Sequence, residues 1–513
     1  MIALGDGNLS VQQILDICDG KQRCGLSAHG RERVNKSASH VESIVNNSKV
    51  VYGINTGFGP LCDTRISGSQ TRDLQQNLLL SHSVGVGNSI DITTARLMLI
   101  TKAHALAFGY SGIRAEIIDR ILLFIDNHIT PCVPEKGSVG ASGDLAPLAH
   151  LFLPLIGFGE VYHRGERRPA RDVLNEYGLE PIQLGPKEGL ALINGTQFIL
   201  ANAILVLKEW KRILDLADVS GALALESLKG SASPFDSRLH NIRPFAGSVF
   251  VASRLRKLLD NSEVLQSHVD CDRVQDPYSL RCMPQVHGAS RNAWLHLKDA
   301  VTIELNSVTD NPVVFSEKET ISGGNFHGQP LALPLDYAAF ASAELGNISD
   351  RRSYLMIEGR YDLPKLLIKN AGLNSGLMIP QYTTAALVTE NKTLCYPASA
   401  DSVPTSLGQE DHVSMGSISG RKTRQILNNL DYIFAIELLY ASQALEFRRP
   451  LKSSAPLEHV QEIIRSRIPF IEQDRLFADD INILHTLVTD HSFIDEINNT
   501  YKLYDGYESF ELH

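Results

Sequence analysis

Four long segments rich in alanine and leucine dominate the C-terminal part of the chain. They cover residues 198–229, 289–304, 335–352 and 421–448, and each is almost free of helix-breaking residues. Pro334 stands just before the third segment, where the first turn of a helix tolerates proline. Because these segments are apolar around much of their circumference, each helix must be buried on more than one side. The sequence therefore predicts a bundle of long helices, part of whose surface is buried against other subunits.

The first 195 residues predict shorter elements. Ser10, followed by Gln13, is typical of a helix N-cap. Further helices are expected at residues 28–44, 71–83, 94–110 and 113–128 and from 144 onward, with a short strand at 49–52 and a hairpin through 164–166. The change in character near residue 195 predicts a mainly α protein with two domains, residues 1–195 and 196–513.

Composition excludes several classes of partner. The 513 residues are 43% hydrophobic and 21% charged, with a formal net charge of −10. An acidic chain without a basic patch argues against nucleic acid. No apolar run is long enough to span a membrane, no signal peptide is recognisable, and no Cys/His cluster indicates a metal site. Seven scattered cysteines without a C-x-x-C pair favour free thiols, so we expect a cytoplasmic protein.

The glycine-rich stretch GSVGASGDLAP at 137–147 has three glycines within seven residues, which opens backbone conformations that other residues avoid. It has three ordinary interpretations. Asp144 could cap the helix that follows. The stretch could hold phosphate, although it lacks the G-x-x-x-x-G-K-[ST] pattern. Ser142 could be a hydrolase nucleophile, although Asp144 stands where the G-x-S-x-G elbow has its second glycine.

Other polar clusters interrupt apolar surroundings, and each also has an ordinary structural interpretation. Tyr52 could be a core tyrosine and His82 a hydrogen-bonded core histidine. Asn194 is either a turn residue with positive φ or a buried hydrogen-bonding group. The clusters are YGINTGFG at 52–59, NGTQ at 194–197, QDPYSLR at 275–281, GNFH at 324–327 and QEDHVSMG at 409–416.

Three of the later residues carry similar alternatives. Arg281 can grip a carboxylate with two parallel hydrogen bonds, or it can be a surface residue. On a helical turn Gln275, Tyr278 and Arg281 would share one face. Phe326 could pack on a flat ligand or belong to a plain turn, and Glu410 with Asp411 could cap a helix N-terminus.

In this order, the clusters resemble the aromatic amino acid ammonia-lyases over essentially the whole chain, and most closely the branch that acts on histidine. The resemblance implies an N-terminal domain that carries the prosthetic group and a long-helix domain, packed as a homotetramer with active sites shared between subunits. It also implies that Ala141, Ser142 and Gly143 cyclise autocatalytically, with loss of two waters, to 4-methylidene-imidazole-5-one (MIO). No external cofactor is then needed.

The resemblance further implies the loss of ammonia from L-histidine to give trans-urocanate. Tyr52 would remove the β-proton, and Arg281 would hold the substrate carboxylate. Glu410 suits an imidazole N–H and would be costly beside a bare phenyl ring. The remaining substrate-binding residues implied are His82, Asn194, Gln275, Tyr278 and Phe326.

Alternatives of different classes stay open. Leu407-Gly408 stands where the family commonly has an Ala-Asn pair, which bears on the pocket near Glu410 and hence on the substrate. A lyase or aminomutase for tyrosine or phenylalanine is therefore the first alternative. An inactive helical scaffold is the second, and a serine hydrolase that uses Ser142 is the third.

Overall fold

The computed structural model describes residues 1–46, 51–61, 66–67 and 70–512. Within these ranges the protein is mainly α, which confirms the predicted fold class. The α-helices, in chain order, are α1 Val11–Cys18, α2 Ala28–Asn46, α3 Thr71–His82, α4 Ile92–Ala107, α5 Ala115–Asp126, α6 Leu145–Phe152, α7 Ala170–Glu176, α8 Glu188–Ile193, α9 Gln197–Ser227, α10 Ser237–Asn241, α11 Ala246–Leu258, α12 Glu263–Gln266, α13 Tyr278–Arg281, α14 Met283–Leu305, α15 Gln329–Ile357, α16 Pro380–Leu394, α17 Gly416–Glu446, α18 Ala455–Arg465, α19 Phe477–Thr489 and α20 His491–Thr500.

The described residues also form nine short strands of two to four residues each. They are β1 Ile2–Leu4, β2 Cys24–Leu26, β3 Val86–Ser89, β4 Thr130–Pro131, β5 Pro134–Lys136, β6 Glu160–His163, β7 Glu166–Pro169, β8 Val313–Val314 and β9 Thr320–Ile321. β1 and β2 pair in parallel, whereas β3–β5, β4–β6–β7 and β8–β9 are antiparallel. The turn between β6 and β7 confirms the predicted hairpin.

Four long helices form the centre of the molecule: α9, α14, α15 and α17, with 31, 23, 29 and 31 residues. α17 packs along both α15 and α9, and α14 packs on α15 and α11. Residues 197–207 of α9 are all buried. The prediction of multiply buried long helices is therefore confirmed, because a helix enclosed on several sides needs apolar residues around its circumference.

The predicted start of the third long helix is wrong. α15 begins at Gln329, so Pro330 lies in its first turn and Pro334 lies inside the helix. Pro334 has no N–H to donate to the carbonyl of Pro330, but Pro330 is an exposed residue at the helix start. Burial of Leu331 and Ala332 in the core then holds this turn in place.

Fully buried ion pairs cross-link the bundle. Asp218 of α9 accepts hydrogen bonds from Arg254 of α11 at 3.0 Å and from His287 of α14 at 2.9 Å. Glu437 of α17 pairs with Arg352 of α15. Because an unpaired buried charge is strongly destabilising, each pair fixes the relative position of two helices.

The N-terminal helices lie close to the positions predicted from the sequence. Ser10 caps α1 in a capping box with Gln13, and α2, α3, α4 and α5 lie within a few residues of their predicted bounds. The strand predicted at 49–52 falls partly on residues outside the described ranges, and the chain turns at Tyr52. Across the described ranges, none of the helices combines the length and hydropathy that crossing a membrane requires. The domain boundary at residue 195 stays a prediction.

Candidate active site

The glycine-rich stretch forms a very tight loop before α6. Gly140, Ser142 and Gly143 all have positive φ, at 81°, 51° and 79°, and Gly140 pairs with Gly143 across the turn. A Cβ at Gly143 would lie 2.0 Å from the carbonyl oxygen of Gly195. Only glycine fits at residue 143, which brings the backbone of the loop against the 194–196 segment.

Asp144 ties this loop to the bundle. Its carboxylate accepts hydrogen bonds from Ser138 Oγ at 2.9 Å and from the backbone N–H groups of Phe198 and Ile199 at 3.0 and 2.9 Å. Burial raises the pKa of Asp144 to about 7, against the lowering effect of these three hydrogen bonds. Asp144 is the N-cap residue of α6, as the sequence allowed, but its side chain makes no hydrogen bond to that helix and instead caps α9.

Asn194 lies directly after α8, on the other side of the loop. Its φ is −82°, so it is not a positive-φ turn residue. The residue is 3% exposed, and its amide oxygen has no hydrogen-bond partner among the described residues. The next residue, Gly195, donates its N–H to the carbonyl oxygen of Ser142 at 3.4 Å.

Lys102 of α4 supports this segment from behind. It is 1% exposed and its Nζ donates to the backbone carbonyl of Asn194. Burial lowers the pKa of Lys102 to about 7, an effect that Lys187 adds to and Asp310 opposes. Lys102 was not identified from the sequence, although a single lysine inside the mostly apolar run LMLITKAHALA was a visible signal.

A cavity of about 330 Å³ opens beside the loop. It brings together five of the predicted site residues, namely Tyr52, His82, Ser142, Asn194 and Glu410. Most of the other lining side chains are apolar, including Phe58, Leu74, Leu78, Leu145, Leu190 and Ile193. A mostly apolar wall with a few convergent polar groups is typical of a small-molecule site.

Glu410 is held on both of its carboxylate oxygens. Oε1 accepts from Ser142 Oγ at 3.0 Å, and Oε2 accepts from Ser406 Oγ at 2.8 Å and from Thr405 Oγ1 at 3.2 Å. Met415, 5 residues further on, is the N-cap of α17, so Glu410 does not cap that helix. Thr405 and Ser406 were not identified from the sequence, because only the fold brings their hydroxyls to the carboxylate.

His82 and Tyr52 complete this cavity. Nδ1 of His82 donates to the carbonyl of Leu78 at 2.8 Å, so Nε2 is the acceptor of the neutral ring. Burial lowers the pKa of His82, while the Leu78 carbonyl and the charge of Glu410 act in the opposite direction. The Tyr52 hydroxyl accepts a hydrogen bond from the N–H of Gly59 at 3.3 Å, which connects the two ends of the 52–59 segment at the cavity wall.

The other predicted residues lie elsewhere on the same chain. Gln275 and Arg281 line a separate cavity of about 520 Å³. Tyr278 is 71% exposed, with the Arg281 guanidinium 4.5 Å from its ring centre. Because α13 begins at Tyr278, Gln275 precedes it, and the prediction that all three share a helical face is wrong for Gln275. Phe326 is half-buried in the turn before α15.

Comparison with known proteins identifies the family. A family model described as aromatic amino acid lyase matches residues 9–466. The chain belongs to the aromatic amino acid lyases. A relative in this family, the histidine ammonia-lyase of Natranaerobius thermophilus, is 44% identical over 503 residues, which cover 98% of this chain and 99% of the relative.

Solved structures of aromatic amino acid lyases and aminomutases have the same fold. Histidine ammonia-lyase from Trypanosoma cruzi is 40% identical, with a TM-score of 0.90, and the match covers 99% of this chain and 96% of that one. Tyrosine aminomutase from Streptomyces globisporus is 34% identical, with a TM-score of 0.92 and coverage of 97% and 98%. The fold by itself therefore does not separate the two activities, and the choice of substrate depends on the side chains that line the cavity.

Proposed function

We propose that this protein is a histidine ammonia-lyase, which removes ammonia from L-histidine without oxidation and releases trans-urocanate. The observation that carries the proposal is the carboxylate of Glu410, which lines the cavity and accepts hydrogen bonds from the hydroxyl groups of Ser142, Thr405 and Ser406. An anionic acceptor there favours a substrate ring with an N–H over a bare phenyl ring. Curated histidine ammonia-lyases at 43–46% identity over nearly the whole chain support the same substrate.

The loop residues fit the MIO group. Ser142 and Gly143 already adopt the positive φ values of a tight turn, and Gly143 has no room for a side chain. The buried amide of Asn194 lines the same cavity, and none of the described residues hydrogen-bonds to its oxygen. We infer that Ala141, Ser142 and Gly143 supply the ring atoms and that Asn194 and Gly195 hold its carbonyl oxygen. When formed, the ring supplies an electrophile for the substrate amine.

The chain's own side chains would then orient the substrate and move its proton. Tyr52 is the base for the β-proton, because its hydroxyl is the phenol on the wall of this cavity. Glu410 accepts the imidazole N–H, and the neutral His82 offers Nε2 near the substrate side chain. Fixing the substrate between these groups lowers the barrier by several kcal/mol, since the reacting atoms no longer need to find each other.

We infer that the enzyme is a homotetramer with shared active sites. A single chain leaves Gln275, Tyr278, Arg281 and Phe326 outside the cavity that holds Glu410, so the carboxylate-binding residues would come from neighbouring subunits. α15 also exposes an apolar stripe formed by Leu333, Tyr337 and Phe340. Size-exclusion chromatography with light scattering tests this: four chain masses are expected, and a monomer that turns over histidine would refute shared sites.

We place the enzyme in the cytoplasm. The six cysteines that the structure describes are unpaired, as is usual in a reducing compartment. Burial raises the pKa of Cys18 to about 11 and that of Cys24 to about 12, so these two thiols remain protonated and unreactive.

Substrate assays test the proposal directly. Purified protein is incubated separately with L-histidine, L-tyrosine and L-phenylalanine, and the near-ultraviolet absorbance of the conjugated product is followed. Growth with histidine is expected. Growth with tyrosine alone would contradict the proposal and favour the second candidate, a tyrosine lyase or aminomutase, which the likeness to tyrosine aminomutase supports.

A further inference from the structure

The buried side chain of Lys102 lies behind the peptide that contacts Ser142. Lys102 Nζ donates to the carbonyl oxygen of Asn194. The N–H of the same peptide group belongs to Gly195 and points to the carbonyl oxygen of Ser142, 3.4 Å away. Two hydrogen bonds thus connect three groups: the amino group of Lys102, the Asn194–Gly195 peptide and the carbonyl of Ser142, the central residue of the loop.

The order of these groups has an electrostatic consequence. In a trans peptide the C=O and N–H point in opposite directions, so a cation at the oxygen draws electrons toward itself and strengthens the N–H donor on the far side. Hydrogen bonds to ionised groups are about twice as strong as neutral ones. A Cβ at Gly195 would lie 2.5 Å from Gln197 Oε1 and 2.7 Å from Thr309 Oγ1, so a larger residue there would have to displace these two side chains.

We propose that Lys102 is a positioning residue of the active site, which aligns and strengthens the Gly195 N–H donor to the Ser142 carbonyl through the Asn194–Gly195 peptide. The inference rests on the proposed function, because it assigns that carbonyl to the MIO ring. Polarising the carbonyl acidifies the adjacent Cα–H of Ser142. When Ser142 matures, its Cα–H and Cβ–Oγ bonds break, a Cα=Cβ bond forms, and the proton leaves with the hydroxyl as water.

A second buried lysine provides the matched control. Lys187 is 0% exposed, donates to the carbonyl of Ser111 at 3.0 Å, and pairs with Asp310 at 2.6 Å. Its ammonium lies close enough to lower the pKa of Lys102, yet it makes no hydrogen bond to Asn194 among the described residues. Removal of Lys187 leaves buried Asp310 without its salt-bridge partner, so Lys187→Met is expected to destabilise the fold at least as much as Lys102→Met.

The experiment compares Lys102→Met, Lys102→Gln and Lys187→Met with the wild type. Intact mass gives the fraction of chains that have lost two waters, histidine kinetics give kcat and KM, and thermal unfolding reports the fold. We expect Lys102→Met to mature more slowly and to lose about tenfold or more in kcat, with KM within about threefold. Lys102→Gln keeps a donor but no charge, so it is expected to be intermediate.

Lys187→Met is expected to unfold at lower temperature but to mature and turn over histidine within about threefold of the wild type. A Lys102→Met enzyme equal to the wild type would overturn the inference, and so would equal losses in the two lysine variants. If Lys102→Met does not fold, the maturation and kinetics of Lys102→Gln become the test. A Lys102→Gln enzyme equal to the wild type in both would overturn the inference. A wild type that neither matures nor consumes histidine refutes the proposed function itself.

Discussion

Replacement of Glu410 by glutamine removes a negative charge without changing the shape of the side chain. In the structure, Thr405 and Ser406 both donate to Oε2. In the Glu410→Gln variant the amide oxygen would keep these two hydrogen bonds, which turns the NH₂ group toward Ser142 and the cavity. An NH₂ group is a donor only, so it cannot accept the imidazole N–H of histidine.

The expected loss follows from this single missing contact. A hydrogen bond to a charged group contributes about 1.5–3 kcal/mol. Glu410→Gln should therefore lower kcat/KM for histidine by about 10- to 150-fold. The same change removes a negative charge that would lie beside the phenyl ring of phenylalanine, so the ratio of phenylalanine to histidine turnover should rise.

Asp411→Asn is the matched control. It removes the same charge from the neighbouring residue, which is exposed, and we expect kcat/KM within about twofold of the wild type. Both variants are assayed by urocanate absorbance under saturating and limiting histidine, and their masses and unfolding temperatures are compared. A Glu410→Gln enzyme within about threefold of the wild type would refute the assignment of Glu410 to the substrate ring.

Three further results are expected. Ser142→Ala has no hydroxyl to eliminate, so it should keep its fold and assembly, which spectroscopy reports, but lose most of its activity in the histidine assay. An active variant would contradict the role of Ser142. Gly143→Ala should fail to mature by intact mass, whereas Gly178→Ala should cost only about 1–2 kcal/mol, because both have positive φ but no atom lies within 4 Å of a Cβ at Gly178. Arg352→Met leaves Glu437 buried and unpaired, so urea denaturation should reveal a loss of about 3–5 kcal/mol; a change below about 1 kcal/mol would mean that Glu437 finds another partner.

The sequence predicted the helices well where local signals were sufficient. Ser10 and Gln13 mark a helix start within four residues, and the apolar length of α9 is a property of its own segment. The prediction that Pro334 precedes the third long helix was wrong. The turn before Pro334 is helical because neighbouring helices bury it, and the local sequence does not show this.

The site was predictable only in part, because its contacts are distant along the chain. The side chain of Asp144 bonds to α9 rather than to the helix that it precedes, and the Ser142–Glu410 hydrogen bond spans 268 residues. Lys102 reaches Asn194 across 92 residues. Motifs identify residues that carry chemistry, but residues that support them through the backbone have no motif of their own. Arg281 was assigned by resemblance, and a single chain does not bring it to the cavity.

The central claim is that Ala141, Ser142 and Gly143 form a dehydrated ring. Intact-mass spectrometry of the purified wild type, followed by mapping of the peptide that contains residues 141–143, tests it most directly. We expect a mass two waters below that of the sequence, with the whole deficit in that peptide. A full sequence mass in a preparation that converts histidine to urocanate would contradict it.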